Sequence, residues 1–309
     1  MRQPCHDQPG GNVFSANPEA EMTVAAIIVN YNAGETLHEC VQALLNSSVH
    51  TRVTVVDNAS SDKSAENLRK NLGGQQGVEF QFNQSNLGFA PAVNSVARRV
   101  DTDWVLILNP DCLLEPETLE HLKSALENDT RAALAGPDVL DENGQTQRAT
   151  RRRFPDPWKS LMTTSGLWRL GKWFRAFHGI EVHVSKLNSG AEQCDAVSGA
   201  CMLIRTSALG EVGFLDEKYA MHCEDLDLMF RLREQGWHCL FVPQARCIHK
   251  QGLSSRSRPT WVHFQKHRGM ARFFGKFQAK STFLPLRMLV YAGIWLRFII
   301  LWPLILIRR

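Results

Sequence analysis

From Gln235 to Arg309 there is no aspartate or glutamate, although the 309-residue chain carries 31 acidic residues. The same stretch holds 13 of the 35 lysines and arginines, so a net charge of +4 conceals a body near −9 and a tail near +13. Such a tail asks for an anionic partner: nucleic acid, a phosphorylated substrate or an anionic membrane surface. No CxxC pair occurs among the eight cysteines, and several sit in apolar runs such as "VSGACMLI". This argues against a zinc ribbon and a disulfide framework, and favours reduced core thiols in a cytosolic compartment. No GxGxxG follows the first apolar strand, which argues against a dinucleotide oxidoreductase. Neither GxxxxGKS nor GxxxxGKT occurs, and there is no GxSxG elbow. Residues 1–21 lack the apolar core of a signal peptide, and their Pro, Gly and polar content is expected of a mobile leader.

What is present from Met22 onward is a regular alternation. "TVAAIIVNYN", "RVTVVDNASSD", "VEFQFN" and "DWVLILNPD" are β-rich apolar runs ending in polar residues, and stretches with helical spacing separate them. This rhythm predicts an α/β fold, a Rossmann-like, mostly parallel sheet flanked by helices. In such sheets ligands gather beyond the carboxyl ends of the strands. There lie Asn30-Tyr31-Asn32, Asp57-Asn58, Asn83 to Asn86 and Asn109-Pro110-Asp111. Asp57 is placed either to hydrogen-bond a ribose or base or to shape its own turn. Asp111 is either structural or a ligand for a hard divalent cation on a diphosphate. The basic run Arg151 to Arg153 reads as a solvated loop, with neutralisation of a diphosphate as the alternative.

"MHCEDLDLMFRL" puts three carboxylates at the head of an apolar helix. Helical spacing sets Asp225 on the face of Leu228, Met229 and Leu232, and sets Glu224, Asp227 and Arg231 on the other. Glu224 and Asp227 suit the helix dipole and an Asp227–Arg231 pair. An inward Asp225 must be paired, metal-bound or working.

The end of the chain, "MLVYAGIWLRFIILWPLILIRR", is long enough to cross a bilayer, although Arg297 and Pro303 also fit an in-plane anchor. A buried core helix is the competing expectation. The basic, aromatic "HFQKHRGMARFFGKFQAK" before it suits anionic headgroups. The expected organisation is a leader (1–21), one catalytic domain (22–255) and a basic helical tail (256–309).

Taken in order, "AAIIVNYN", "VVDNASSD", "NLGFAPAVN", "LILNPD", "VSGACMLIR", "GFLDEKYAMHCEDLDLMFRLREQGW" and "CIHKQGLSS" resemble the family 2 glycosyltransferases of the GT-A fold, in their bacterial rhamnosyltransferase-like branch. The resemblance implies an inverting glycosyltransferase of cell-envelope polysaccharide (lipopolysaccharide) biosynthesis. The implied donor is dTDP-rhamnose, with UDP-hexoses as the alternative, and the implied acceptor is lipid-linked or another surface glycan. It implies a place at the cytoplasmic side of the inner membrane and no nucleic-acid partner. By the same resemblance, Tyr31, Asn32, Asp57, Asn58, Asn86, Gly88 and Asn94 hold the nucleoside. Asp111, with His249, holds Mg²⁺ or Mn²⁺ on the donor diphosphate, although Asn109 replaces the first acid of the family's metal element. Gly199, Ala200 and Glu224 line the sugar cleft, Asp225 is the general base, and Lys250 is a further candidate contact for the diphosphate. A non-catalytic nucleotide-sugar-binding protein is the competing class, against which the retention of both Asp111 and Asp225 counts.

Overall fold

The computed structural model describes residues 24–182, 190–250 and 258–307; the expected leader and most of the "SSRSRP" linker lie outside them. The first half alternates β1 (Val24–Asn30), α1 (Thr36–Leu45), β2 (Thr51–Asp57), α2 (Ser64–Leu72), β3 (Val78–Phe82), α3 (Phe89–Ala97) and β4 (Trp104–Leu108). Next come β5 (Cys112–Leu114), α4 (Thr118–Asn128), β6 (Ala132–Leu140), β7 (Arg151–Arg152) and α5 (Pro157–Ser165). Beyond these lie β8 (Glu192–Cys194), β9 (Ala196–Val197), β10 (Cys201–Arg205), α6 (Thr206–Glu211) and α7 (Glu224–Glu234). The chain closes with β11 (His238–His249), α8 (Pro259–Phe277) and α9 (Leu284–Ile307).

The main sheet runs β3-β2-β1-β4-β10-β6-β11-β5, with β8 added against β11. Every residue of β1 is buried, because helices cover both faces of a parallel sheet and no polar alternation is needed. Val24, Ala26 and Ile28 face α1, α2 and α4, while Ile27 and Val29 face α3, α6 and α7. The β3-β2-β1-β4 half is parallel throughout. Beyond it β10 runs antiparallel to both β4 and β6, β6 and β11 pair parallel, and β5 and β8 add to β11 antiparallel. The apolar segment "CDAVSGACMLIR" is not one strand: it takes in the end of β8, then β9 and β10. The ladder of β11 on β6 slips between Val242 and Arg246, where Pro243 supplies no N–H.

On the far side of α7 lies α8. Added at Gly269, a Cβ would come within 2.9 Å of the His222 carbonyl, so glycine permits this close approach. His222 and Cys223 both have left-handed backbones (φ +65° and +70°), a strained turn that launches α7 and that α8 holds down. Among the described residues α9 packs along one edge on α8 and is otherwise uncovered. Its Leu284–Leu306 stretch has mean hydropathy 2.0, long and apolar enough to cross a membrane, and it is 0% buried. The core-helix expectation for this segment is therefore overturned: its leucines and isoleucines face outward while only one edge packs on α8.

Candidate active site

Strand order reverses between β1 and β4, and the polar residues at their carboxyl ends form one rim. The Asp57 carboxylate accepts from Asn30 Nδ2 (2.7 Å) and from the Ser60 backbone (3.0 Å). Asn32, left-handed at φ +52°, accepts from the Ser61 N–H (2.7 Å) beside the half-buried Tyr31. Asn58 is a hub: its Nδ2 donates to Asn86 Oδ1 and the Gly88 carbonyl, and its Oδ1 accepts from Asn83 Nδ2 and the Leu87 N–H, all at 3.0–3.1 Å. It therefore shapes the 83–88 loop and leaves Asn86 exposed at the rim. Asn94 does not join this rim. Fully buried, it donates to the Leu215 carbonyl and Glu217 (2.9 Å each) and accepts from the Leu215 N–H. This corrects the expectation that Asn94 lines the nucleoside pocket: its amide is committed to latching α3 onto the 215–217 loop.

Asp111 and His249 are brought together by the sheet. Antiparallel pairing of β5 with β11 sets Cys112 opposite His249, and His249 Nε2 lies 3.1 Å from Asp111 Oδ1. The sheltered Nδ1 of His249 has no hydrogen-bond partner among the described residues. Asp111, Cys112 and His249 form a compact donor group. Burial, reinforced by neighbouring thiols, pushes the Cys112 thiol well up. One carboxylate and one imidazole fit a hard divalent cation whose remaining positions go to phosphate oxygens and water. Lys250 pairs with Glu39 of α1 at 2.5 Å, so its charge is already matched.

Across the cleft stands Asp225, 8% exposed at the first turn of α7. At Gly199 a Cβ would sit 2.9 Å from the Asp225 carboxylate, so only glycine fits there. The next carbonyl, Ala200, accepts from the Asn109 N–H at 2.8 Å. One turn thus ties the helix bearing Asp225 to the Asp111 segment. The Arg151–Arg153 run is not a solvated loop, contrary to expectation. As β7 it pairs with β9, which alternates its side chains: Arg151 bonds Glu192, and Arg152 turns inward to Asp225 Oδ2 and the Val197 carbonyl, each at 2.5 Å. Burial alone would raise the Asp225 carboxyl, but the Arg152 charge and hydrogen bond outweigh it and hold it below the usual carboxylate range. Beside it Glu224 is pushed up to about 8, by burial first and then by the Asp225 charge. Its Oε2 is sheltered and without a partner among the described residues.

The expected Asp227–Arg231 pair is present at 2.6 Å, but not on a solvent face. Lys276 of α8 also reaches Asp227 (2.6 Å), and with Arg272 it holds Asp216. Part of the tail's positive charge is therefore matched within the protein. Sequence reasoning underrated Arg152; the only signal for it was a basic run next to prolines.

The family model described as glycosyl transferase family 2 matches residues 25–213. The chain is 27% identical over 285 residues to N-acetylglucosaminyl-diphospho-decaprenol L-rhamnosyltransferase of Mycobacterium tuberculosis, covering 88% of this chain and 90% of that one. It is 25% identical over 240 residues to rhamnosyltransferase WbbL of Escherichia coli (76% and 86% covered). It is 24% identical over 232 residues to the low-salt glycan biosynthesis hexosyltransferase Agl10 of Haloferax volcanii (74% and 67%). Among solved structures, GalNAc-T7 with UDP, GalNAc and Mn²⁺ shares the fold with a TM-score of 0.60 at 16% identity, covering 83% of this chain and 48% of that one.

Proposed function

This chain belongs to glycosyl transferase family 2 and is a glycosyltransferase, and from that premise we propose that it is an inverting rhamnosyltransferase acting on a polyprenyl-diphosphate-linked acceptor. The observation that carries this reading is one connected scaffold: Asp225 packs on Gly199, whose neighbour Ala200 is bonded to the segment bearing Asp111. The rhamnose donor, dTDP-rhamnose, is supported by the two rhamnosyltransferase relatives. The hexosyltransferase relative favours a second reading, a UDP-hexose donor on the same scaffold.

In the proposed reaction Tyr31, Asn32, Asp57 and the 83–88 loop shaped by Asn58 hold the nucleoside. Asp111 and His249 hold Mg²⁺ or Mn²⁺, which when bound neutralises charge on the donor diphosphate. The acceptor oxygen forms a bond to the anomeric carbon from the face opposite the diphosphate. The bond from that carbon to the diphosphate oxygen breaks with its electron pair, and the acceptor's proton passes to the Asp225 carboxylate. Asp225 is a weak base in the resting state because Arg152 keeps it ionised. Proton transfer becomes favourable only as the acceptor oxygen bonds carbon and grows acidic, so the base acts late and releases no acceptor anion prematurely. Arg152 and Gly199 fix the carboxylate's position, which direct displacement requires. Glu224, neutral near pH 7, is suited to donate its proton in a hydrogen bond to a sugar hydroxyl.

The proposed organisation is a catalytic domain over residues 22–255 and a tail, 256–309, that anchors it at the cytoplasmic face of the inner membrane in envelope polysaccharide synthesis. Donor turnover tests the reading: full-length protein with Mg²⁺ or Mn²⁺, a panel of dTDP-, UDP- and GDP-sugars, and membrane extract as acceptor. The expected result is consumption of one donor, lost in Asp225→Asn while donor binding persists. Full activity in Asp225→Asn would sink the assignment of the base.

A further inference from the structure

Between α8 and α9 opens a cleft of about 370 Å³ whose lining belongs to neither the nucleoside rim nor the metal pair: His263, Lys266, Arg297, Leu301, Leu304 and Ile305. Its upper wall is cationic. Among the described residues no carboxylate lies within ion-pairing distance of Lys266 or Arg297, whereas Arg272 and Lys276, further along α8, are both matched by aspartates. Arg297 is held in place: His267 donates through Nδ1 to the His263 carbonyl (2.8 Å), leaving Nε2 to accept from Arg297 Nη1 (3.1 Å). Burial lowers the His267 imidazole to about 4, so it stays neutral and can fill that acceptor role.

Below the cations the wall is apolar and continuous. Leu301, Leu304 and Ile305 follow Arg297 at helical spacings of four, seven and eight, one stripe about 12 Å long down α9. That stripe belongs to the segment that is apolar enough to cross a membrane and, among the described residues, is 0% buried. The cationic end points back to the chemistry. Lys266 lies one turn before Gly269, on the same face, and Gly269 sits against the His222 carbonyl in the turn that leads into Asp225.

Phosphate-binding cations at one end, an apolar track at the other and a strained active-site turn alongside match one chemical class. Given a lipid-linked acceptor, as proposed above, we propose that this cleft binds the acceptor's diphosphate between Lys266 and Arg297 and lays its first isoprene units along Leu301, Leu304 and Ile305. The sugar to be extended is thereby presented to Asp225. A soluble acceptor would need neither the track nor its place in the apolar helix.

The test is equilibrium binding of radiolabelled farnesyl diphosphate to the full chain in detergent micelles. Wild type is expected to bind it, with Lys266→Gln and Arg297→Gln each weakening binding at least about tenfold, the loss of one charge-assisted contact. Lys280→Gln, an exposed basic residue of the same tail, is expected to bind as wild type. Farnesol should fail to displace the probe, and dTDP should fail to displace it. The proposal is overturned if both cleft variants bind as wild type, if dTDP displaces the probe and so places it in the donor site, or if phosphatidylglycerol competes equally and marks a general headgroup surface. Failure of the glycosyl-transfer reading would be seen separately: farnesyl diphosphate would bind in the cleft-dependent manner while no sugar donor was turned over.

Discussion

The two faces of α7 carry buried aspartates only two residues apart, and they are treated in opposite ways. Asp227 is 0% exposed and receives Arg231 and Lys276, so its charge is over-matched and sealed beneath α8. Asp225 receives one guanidinium and keeps 8% of its surface exposed, with a second carboxyl, Glu224, beside it. A carboxylate surrounded by cations is structural, because no substrate proton can reach it and no energy is gained by letting one try. A carboxylate matched by a single cation, Arg152, with its other oxygen accepting from the Leu226 N–H (2.8 Å) and 8% of its surface exposed, keeps its charge without being sealed off, the condition a general base needs. Burial is common to both, so burial does not distinguish structure from chemistry; the number and origin of the partners does.

Neutralising each aspartate in turn sharpens the contrast most. Asp225→Asn should lower turnover about 10²–10⁴-fold with donor binding and urea stability little changed. Asp227→Asn should leave the turnover of the folded protein nearly intact and lower stability by about 3 kcal/mol, read from urea midpoints, since two cations lose their partner. Equal losses of activity in both would erase the distinction. Next in size is Gly199→Ala. The new methyl meets the Asp225 carboxylate at 2.9 Å, so displacement of the base should cost up to about 10²-fold in kcat with KM for the donor unchanged.

Arg152→Gln tests what keeps Asp225 ionised. With the guanidinium gone burial dominates, the carboxyl pKa rises, and the acid limb of the pH–rate profile moves to higher pH. The sign for stability follows: the depressed carboxyl contributes stability present above its unfolded pKa and lost as pH falls through its folded pKa, and the variant should lose that acid-side dependence. The smallest effect is expected of Glu224→Gln. Glu224 is raised from 4.5 to about 8, so its contribution is fully present below 4.5 and is lost as pH rises through about 8. The variant should flatten both stability and activity across that alkaline window, and an unchanged inflection near 8 would assign it to another group.

Much of the first half was legible because its signals are local. Seven successive elements from β1 to β4 follow from runs of apolar residues and their spacing, each decided within a few residues. The inward direction of Asp225 was readable for the same reason, as one turn of helix fixes which side chains share a face. The direction of β10 was not readable, since an apolar strand buried on both faces has the same pattern whether it runs up or down. Asn94 looked like a pocket residue because its position in "NLGFAPAVN" carries no mark of the loop at 215–217 that claims its amide.

The sequence by itself determined the α/β layering, the polar rim at the strand ends, the segregation of charge and the existence of an apolar terminal helix, because hydrophobic periodicity and composition are properties of neighbouring residues. Tertiary structure alone decided which charges meet. Arg152 reaches Asp225 across 73 positions, and Lys276 reaches Asp227 across 49. His249 meets Asp111 only because β5 and β11 pair in one register. Electrostatic partnership depends on distances of a few ångströms between chain-distant groups, and those distances exist only once the sheet has set its order and the helices have closed over it.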